Sequence, residues 1–257
     1  MTAQTWPAGA RAAMSLTFDD GLASQLAIAV PLLERHGLRG TFYLNPHGDD
    51  WRARWAAWAP VAAAGHELGN HTLTHPCSEN FAFISPERGL ERLTLEQLAE
   101  DMDAAEQRLR ALSGTETRSF AYPCYQDWVG RGADRQTYVP LVVARFVAGR
   151  IRGERGNLPG RCDLHHLWSW PAERMSGAEL IGLCEQAACE GMWGIFTFHG
   201  VGDGHLPIGA DDLAALCAHL QRADGRIWTA PVAEVAGHLQ AQRSAPAPQD
   251  NATSVRS

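Results

Sequence analysis

Met14-Ser15-Leu16-Thr17-Phe18-Asp19-Asp20-Gly21 is the stretch on which the reading of this chain turns. An apolar, strand-forming run stops at two carboxylates and a glycine. About fifty residues on comes His71-Thr72-Leu73-Thr74-His75. Two adjacent aspartates and two imidazoles four residues apart are the minimum for metal-assisted hydrolysis. Three of the groups hold a divalent ion with an open position, and the fourth stands beside it as a base. The chain therefore reads as an enzyme.

On either side of this stretch, β-rich runs at 14–18, 40–44, 67–70, 119–122, 141–146, 166–170, 194–198 and 227–229 alternate with segments of helical apolar spacing. The helical segments are 23–36, stopped by Gly37, 93–112, closed by Ser113-Gly114, 176–190, opened by a serine cap, and 210–220, which carries two aspartates in its first turn. Strands alternating with helices imply parallel βαβ units, and seven or eight of them imply an α/β barrel. Residues 125–140 and 148–162 are rich in Gly and Arg and read as long loops. One domain is expected over 1–243, with a polar, proline-bearing tail at 244–257 that should be disordered.

Composition narrows the class. With 257 residues, 45% hydrophobic and 20% charged, there is material for one large core. A net charge of −7 without a basic run argues against nucleic acid as partner. No stretch approaches the roughly 18 apolar residues of a membrane span, and the start lacks a secretory pattern, so a cytoplasmic location is expected. The six cysteines have no CxxC pair and no zinc-finger spacing, and read as buried free thiols. Nine tryptophans serve either a core or the faces of sugar rings.

In a barrel, functional groups collect at the C-terminal ends of strands. Asp19, Asp20, Asn45, His71, Pro123, Trp170 and His199 all fall at or just past such ends. His71 and His75 would share a face if the chain turns helically after Asn70, and Asp20 would complete a zinc-type ligand set. Neighbouring side chains alternate in an extended strand, so Asp19 and Asp20 should diverge, one toward a metal and the other toward the attacking water. His66-Glu67 does not form a zincin motif, since the next histidine is five residues on. Asp49-Asp50 and Asp211-Asp212 read as turn and helix-start residues. His199, closing an apolar run before Gly200, is a candidate proton donor. His205 is a weaker one, and His165-His166 receive no role.

Taken together, these segments resemble the polysaccharide deacetylases of carbohydrate esterase family 4, the NodB-homology group, over about 14–235. Thr17-Phe18-Asp19-Asp20-Gly21 looks like the family's first motif and His71-Thr72-Leu73-Thr74-His75 like its second. Phe120-Ala121-Tyr122-Pro123-Cys124 falls at the third, and Phe198-His199-Gly200 resembles the last. The resemblance implies a distorted (β/α) barrel of about seven parallel strands, with Asp19 as general base, His199 as general acid, and Asp20, His71 and His75 as metal ligands. The third motif departs from the family: the arginine that holds the base is replaced by Ala121, and a tyrosine by Cys124. The Cys124 amide can still donate to an oxyanion, and Tyr125 and Trp170 are candidates for the substrate wall. Arg118, Arg131 or Arg135 could take the missing arginine's place, and Asp163 with Trp168 or Trp170 loosely matches the motif that orients the acid histidine.

The resulting expectation is a zinc-dependent hydrolase, with cobalt or nickel as alternatives, acting on N- or O-acetylated saccharide. A cytoplasmic amidohydrolase of a small cyclic amide or ureide is the alternative, and a non-catalytic carbohydrate-binding protein a third reading. A homo-oligomer stays open, with residues 125–140 as a lid or subunit contact.

Overall fold

The computed structural model describes residues 6–244 except residue 224. The opening run forms β1 (Ala12–Asp19), buried along its whole length. Then come β2 (Thr41–Leu44), β3 (Glu67–Asn70) and β4 (Phe120–Ala121). β5 (Trp128–Val129) and β6 (Gln136–Thr137) make a separate antiparallel pair. β7 (Gly149–Arg152), β8 (Leu167–Pro171), β9 (Trp193–Phe198) and β10 (Ile227–Thr229) complete the set. The parallel order β1-β2-β3-β4-β7-β8-β9 closes where Ala13 through Phe18 pair with Trp193 through Phe198. The molecule is thus a closed barrel of seven parallel strands, as expected. β10 lies beside the first half of β1, and β2 beside its second half.

Helices cover the barrel because each carries an apolar stripe. In Gly177–Glu190 it is Leu180, Cys184, Ala187 and Ala188, and in Ala210–Arg222 it is Leu213, Leu216, Cys217 and Leu220. Both first turns are capped or acidic as expected, Ser176 forming a full capping box with Glu179. The longest helix, Leu95–Ser113, opens on a Thr94/Gln97 box and stops at Gly114 in the left-handed conformation. It packs against β3, and its polar residues hold the loop that follows that strand. The segment predicted at 23–36 begins as a π-turn (Gln25–Ala29) and becomes α-helical over Val30–Arg35.

Three expectations are overturned. The 141–146 segment is not a strand: Val139–Val143 is a short helix with Pro140 in its first turn. Tyr138, Val142 and Phe146 are buried at intervals of four, a helical period that the β-branched composition concealed. The strand missing from that place is β7, inside the supposed loop 148–162. Its residues read as polar because Arg150, fully buried, points into the barrel. Gly149 is required there, since a Cβ would lie 2.6 Å from the His165 carbonyl oxygen. Finally, not all cysteines are free. Cys77 and Cys124 are joined by a disulfide, whereas Cys184 and Cys217 are buried thiols, Cys162 is half-buried and Cys189 exposed. Apart from Ser244, the predicted tail lies outside the described residues. Among them, no helix is long and apolar enough to cross a membrane.

Candidate active site

At the C-terminal end of β1 the chain leaves the strand with Asp20 at φ +74° and Gly21 at φ +63°. Aspartate tolerates the left-handed region better than most residues. A side chain at Gly21 would place Cβ 2.4 Å from the Trp55 ring. This turn abolishes the expected alternation. Both carboxylates reach one imidazole, with His71 Nε2 3.6 Å from Asp20 Oδ1 and 3.9 Å from Asp19 Oδ2. The adjacent aspartates therefore converge, contrary to the strand rule, because Asp20 is no longer in the strand.

The histidine pair also meets by another route than predicted. Residues 71–76 form no helix; Thr72 and His75 sit at φ +62° and +53°. Asp101 on the long helix accepts from the Leu73 amide at 2.5 Å and from Thr74 Oγ1 at 2.6 Å. Asn70 Oδ1 accepts from the Thr72 amide at 2.8 Å, and Thr72 Oγ1 from the His75 amide at 3.0 Å. The loop is bolted down, and the two rings lie 4.7 Å apart. His71 Nδ1 is 2.8 Å from the Ala121 carbonyl. A carbonyl only accepts, so Nδ1 carries the hydrogen and Nε2 is the nitrogen turned to the aspartates. His75 Nε2 lies 3.5 Å from Asp20 Oδ1. Burial, aided by His71 and opposed by the two aspartates, pushes the His75 pKa down to about 4.

Arg150 holds Asp19. Its Nη2 lies 2.6 Å from both Asp19 oxygens, and its Nη1 donates to Thr197 Oγ1 at 2.7 Å. The guanidinium is also 5.0 Å from the Tyr43 ring centroid and 5.8 Å from that of Tyr125. Burial by itself would raise the Asp19 pKa. The Arg150 charge, with His71 and His199, more than offsets that, so the carboxyl lies below its ordinary value. None of the three arginines considered from sequence does this. Arg118 pairs with Glu106, Arg131 with Glu79, and Arg135 lies over the Trp128 ring. Yet Arg150 is the register partner of Ala121, the position where the family arginine was missed. Partners on neighbouring parallel strands point to the same face. The guanidinium that reaches Asp19 thus comes from β7, one strand along the barrel from Ala121 on β4.

His199 follows β9, with Nε2 4.0 Å from Asp19 Oδ2 and from Asp20 Oδ2. Its Nδ1 is buried without a partner among the described residues. The expected orienting carboxylate is not Asp163, whose Oδ1 instead accepts from the His165 amide. Trp168 faces outward at 37% exposure, and Trp170 is a core residue packed on Phe196. What ties His199 to β1 is a residue that sequence reading missed. Gln25, buried in the π-turn, donates through Nε2 to the Asp19 carbonyl at 2.5 Å and to the His199 carbonyl at 3.0 Å. The His205 ring lies 5.5 Å from that of His199, so the weaker candidate is beside the site. Asn45 stays near the β2 end, where its carbonyl accepts from His47.

The turn after β4 presents Cys124 at φ +51° and Tyr125 at φ +56°. Its own bonds run from the Tyr125 amide to Tyr122 and from the Gln126 amide to Pro123, leaving out the Cys124 amide. The disulfide fastens this turn to Cys77, two residues past His75. His66 and Glu67 are structural: His66 Nδ1 accepts from the Gly40 amide, and Glu67 binds Ser119 and Thr41.

One ligand atom each from Asp20, His71 and His75 can be chosen so that all lie within 4.8 Å of one another. Two imidazole nitrogens and a carboxylate, with the His71 tautomer fixed by a carbonyl, fit a zinc-type ion.

A parallel barrel with this set at its mouth is the arrangement that the resemblance of the motifs implies. Residues 8–128 match the polysaccharide deacetylase family model, in agreement with the motifs; Arg150 and His199 lie beyond the matched stretch. A chitin deacetylase from Pestalotiopsis sp is 36% identical over 64 residues, 24% of this chain and 21% of that protein. YlxY of Bacillus subtilis is 27% identical over 94 residues, 37% of this chain and 25% of that protein. The chain thus aligns with about a quarter of the length of these curated relatives or less. In fold it is similar to a Mycobacterium smegmatis structure assigned as a polysaccharide deacetylase, with TM-score 0.66, 16% identity and 94% of each chain covered. It is also similar to Bacillus subtilis PdaA, a family 4 carbohydrate esterase (TM-score 0.52, 13% identity, 88% of this chain and 80% of that one). A family 4 pseudoenzyme from Bacillus anthracis shares the fold too (TM-score 0.54, 14% identity, 87% of this chain and 65% of that one).

Proposed function

We propose that this chain is a metal-dependent hydrolase that removes acetyl groups from N- or O-acetylated carbohydrate. The observation that carries the reading is the convergence of Asp20, His71 and His75 beside an Asp19 held by a buried arginine. Asp20, His71 and His75 would hold the ion, with zinc first and cobalt or nickel as alternatives. Such an ion supplies Lewis acidity toward a water and toward the acyl carbonyl.

The protein's own groups account for the proton traffic. Asp19, ionised at neutral pH because Arg150 faces it, takes the proton of the attacking water. Arg150 is itself buried and anchored on Thr197, so the base stays in one orientation. The Cys124 amide donates to the oxygen that gains charge as the carbonyl becomes tetrahedral. His199 Nε2, on the same mouth, protonates the departing amine or alkoxide. A cleft of about 300 Å³ beside His75, lined by Thr74, Pro76, Phe83 and Arg88, offers room for a sugar ring, with Phe83 66% exposed as an apolar platform.

The test is acetate release from N- and O-acetylated saccharides by metal-stripped protein, before and after zinc, cobalt or nickel is restored. Metal-dependent release is expected. Release that is indifferent to metal, or none with any metal, would refute the reading.

A further inference from the structure

The disulfide sits where a ligand loop meets the oxyanion turn. Cys77 is fully buried, Cys124 is half-buried, and Cys77 Sγ lies 3.6 Å from His75 Nδ1. Donor atoms of His75, Cys77 and Cys124 fall within 4.8 Å of one another, a second triad that shares His75 with the first. The two triads approach opposite nitrogens of one ring, Nε2 toward Asp20 and Nδ1 toward sulfur. A neutral imidazole has one lone pair, so it serves only one triad at a time.

We propose that reduction of Cys77–Cys124 creates a thiolate metal site, in which both sulfurs and His75 Nδ1 take a borderline or soft divalent ion and withdraw His75 from the Asp20–His71–His75 set. The chemistry balances with a dithiol as reductant. Its thiolate attacks the accessible Cys124 sulfur, the Cys77 sulfur leaves, and a mixed disulfide forms. The second thiol of the reductant closes a ring on the first, releasing Cys124 and carrying away the oxidised reductant. Each freed thiol yields one proton when it ligates the ion. Two thiolates and an imidazole are a zinc-preferring donor set. Disulfides persist in oxidising compartments and are reduced in the cytosol, so the two triads belong to two redox environments.

The thiolate site forms independently of substrate, although its consequence for turnover rests on the deacetylase reading. The experiment therefore needs no substrate. Protein reduced with a dithiol and desalted without oxygen is titrated with cobalt(II), and sulfur-to-cobalt charge-transfer absorption is recorded. One equivalent should develop the band in reduced but not oxidised protein. Cys77→Ser and Cys124→Ser should each abolish it, and Asp20→Asn should retain it. No band in reduced protein, or a band that survives both serine variants, overturns the proposal. Should the variants fail to fold, alkylation of the reduced wild type decides. Zinc should protect Cys77 and Cys124, mapped by peptide mass, while exposed Cys189 reacts regardless, and equal reaction of all three overturns the proposal.

Discussion

Arg150→Met isolates the pairing that holds Asp19, the proposed base, because methionine keeps much of the volume and removes the charge. The side chains of Arg150 and Asp19 are 0% and 5% exposed, so solvent screens little of the interaction. Removing one partner of such a buried pair costs about 3–5 kcal/mol, through the orphaned charge it leaves. The other lost bonds add little, because Ser169 Oγ and Thr197 Oγ1 remain 2.8 Å apart and bond to each other. The sign with pH follows from the direction of the Asp19 shift. In the wild type the folded pKa lies below the unfolded value of about 3.9, so the pair stabilises above that pH, and this is lost as pH falls through the folded value. In Arg150→Met, burial is opposed only by the histidines, and the Asp19 pKa rises. The variant's deficit is then largest near neutrality and shrinks as acid protonates the carboxyl in both states. Urea unfolding at neutral and acidic pH measures this, and the acidic limb of the pH–rate profile should move upward. An equal deficit at both pH values, or an unmoved acidic limb, would refute the electrostatic account.

Four further outcomes are expected. Ala121→Arg combined with Arg150→Ala should recover part of the activity lost in Arg150→Ala alone, read as kcat, since the two positions are register partners on one face. Asp19→Asn should keep the metal, by elemental analysis, yet lose about 10²–10⁴-fold in kcat. His75→Ala should release the ion to a chromophoric chelator at a far lower chelator concentration than wild type. His199→Ala should retain the ion and lose kcat within about the same 10²–10⁴ range.

The barrel was legible because its strands are short apolar runs between capped helices, and Thr94, Ser176 and Gly114 act locally. Where the reading failed, a distant contact had changed the meaning of a residue. Val139–Val143 looks like a strand by composition and is a helix by burial, its inward face set by Tyr138 and Phe146. Gly149–Arg152 looks like a loop because an arginine in a strand is ordinarily a surface residue; here its partner Asp19 is 131 positions away. Gln25 carries no motif, and its role as a clip between β1 and β9 exists only once the barrel closes.

Residue type and local pattern single out the groups that could do chemistry. Asp19, Asp20, His71 and His199 are candidates by residue type at strand ends, His75 by its spacing from His71, and both signals are local. How those groups face one another follows from long-range packing. Left-handed turns at Asp20, Thr72 and His75 brought the candidate ligands together, β7 supplied the arginine, and Cys77 met Cys124 across 47 residues. Hydrophobic periodicity and helix caps act over a few residues and leave a mark on the chain. Pairing between buried charges and between sulfurs depends on distance in space, which barrel closure sets and no local pattern records.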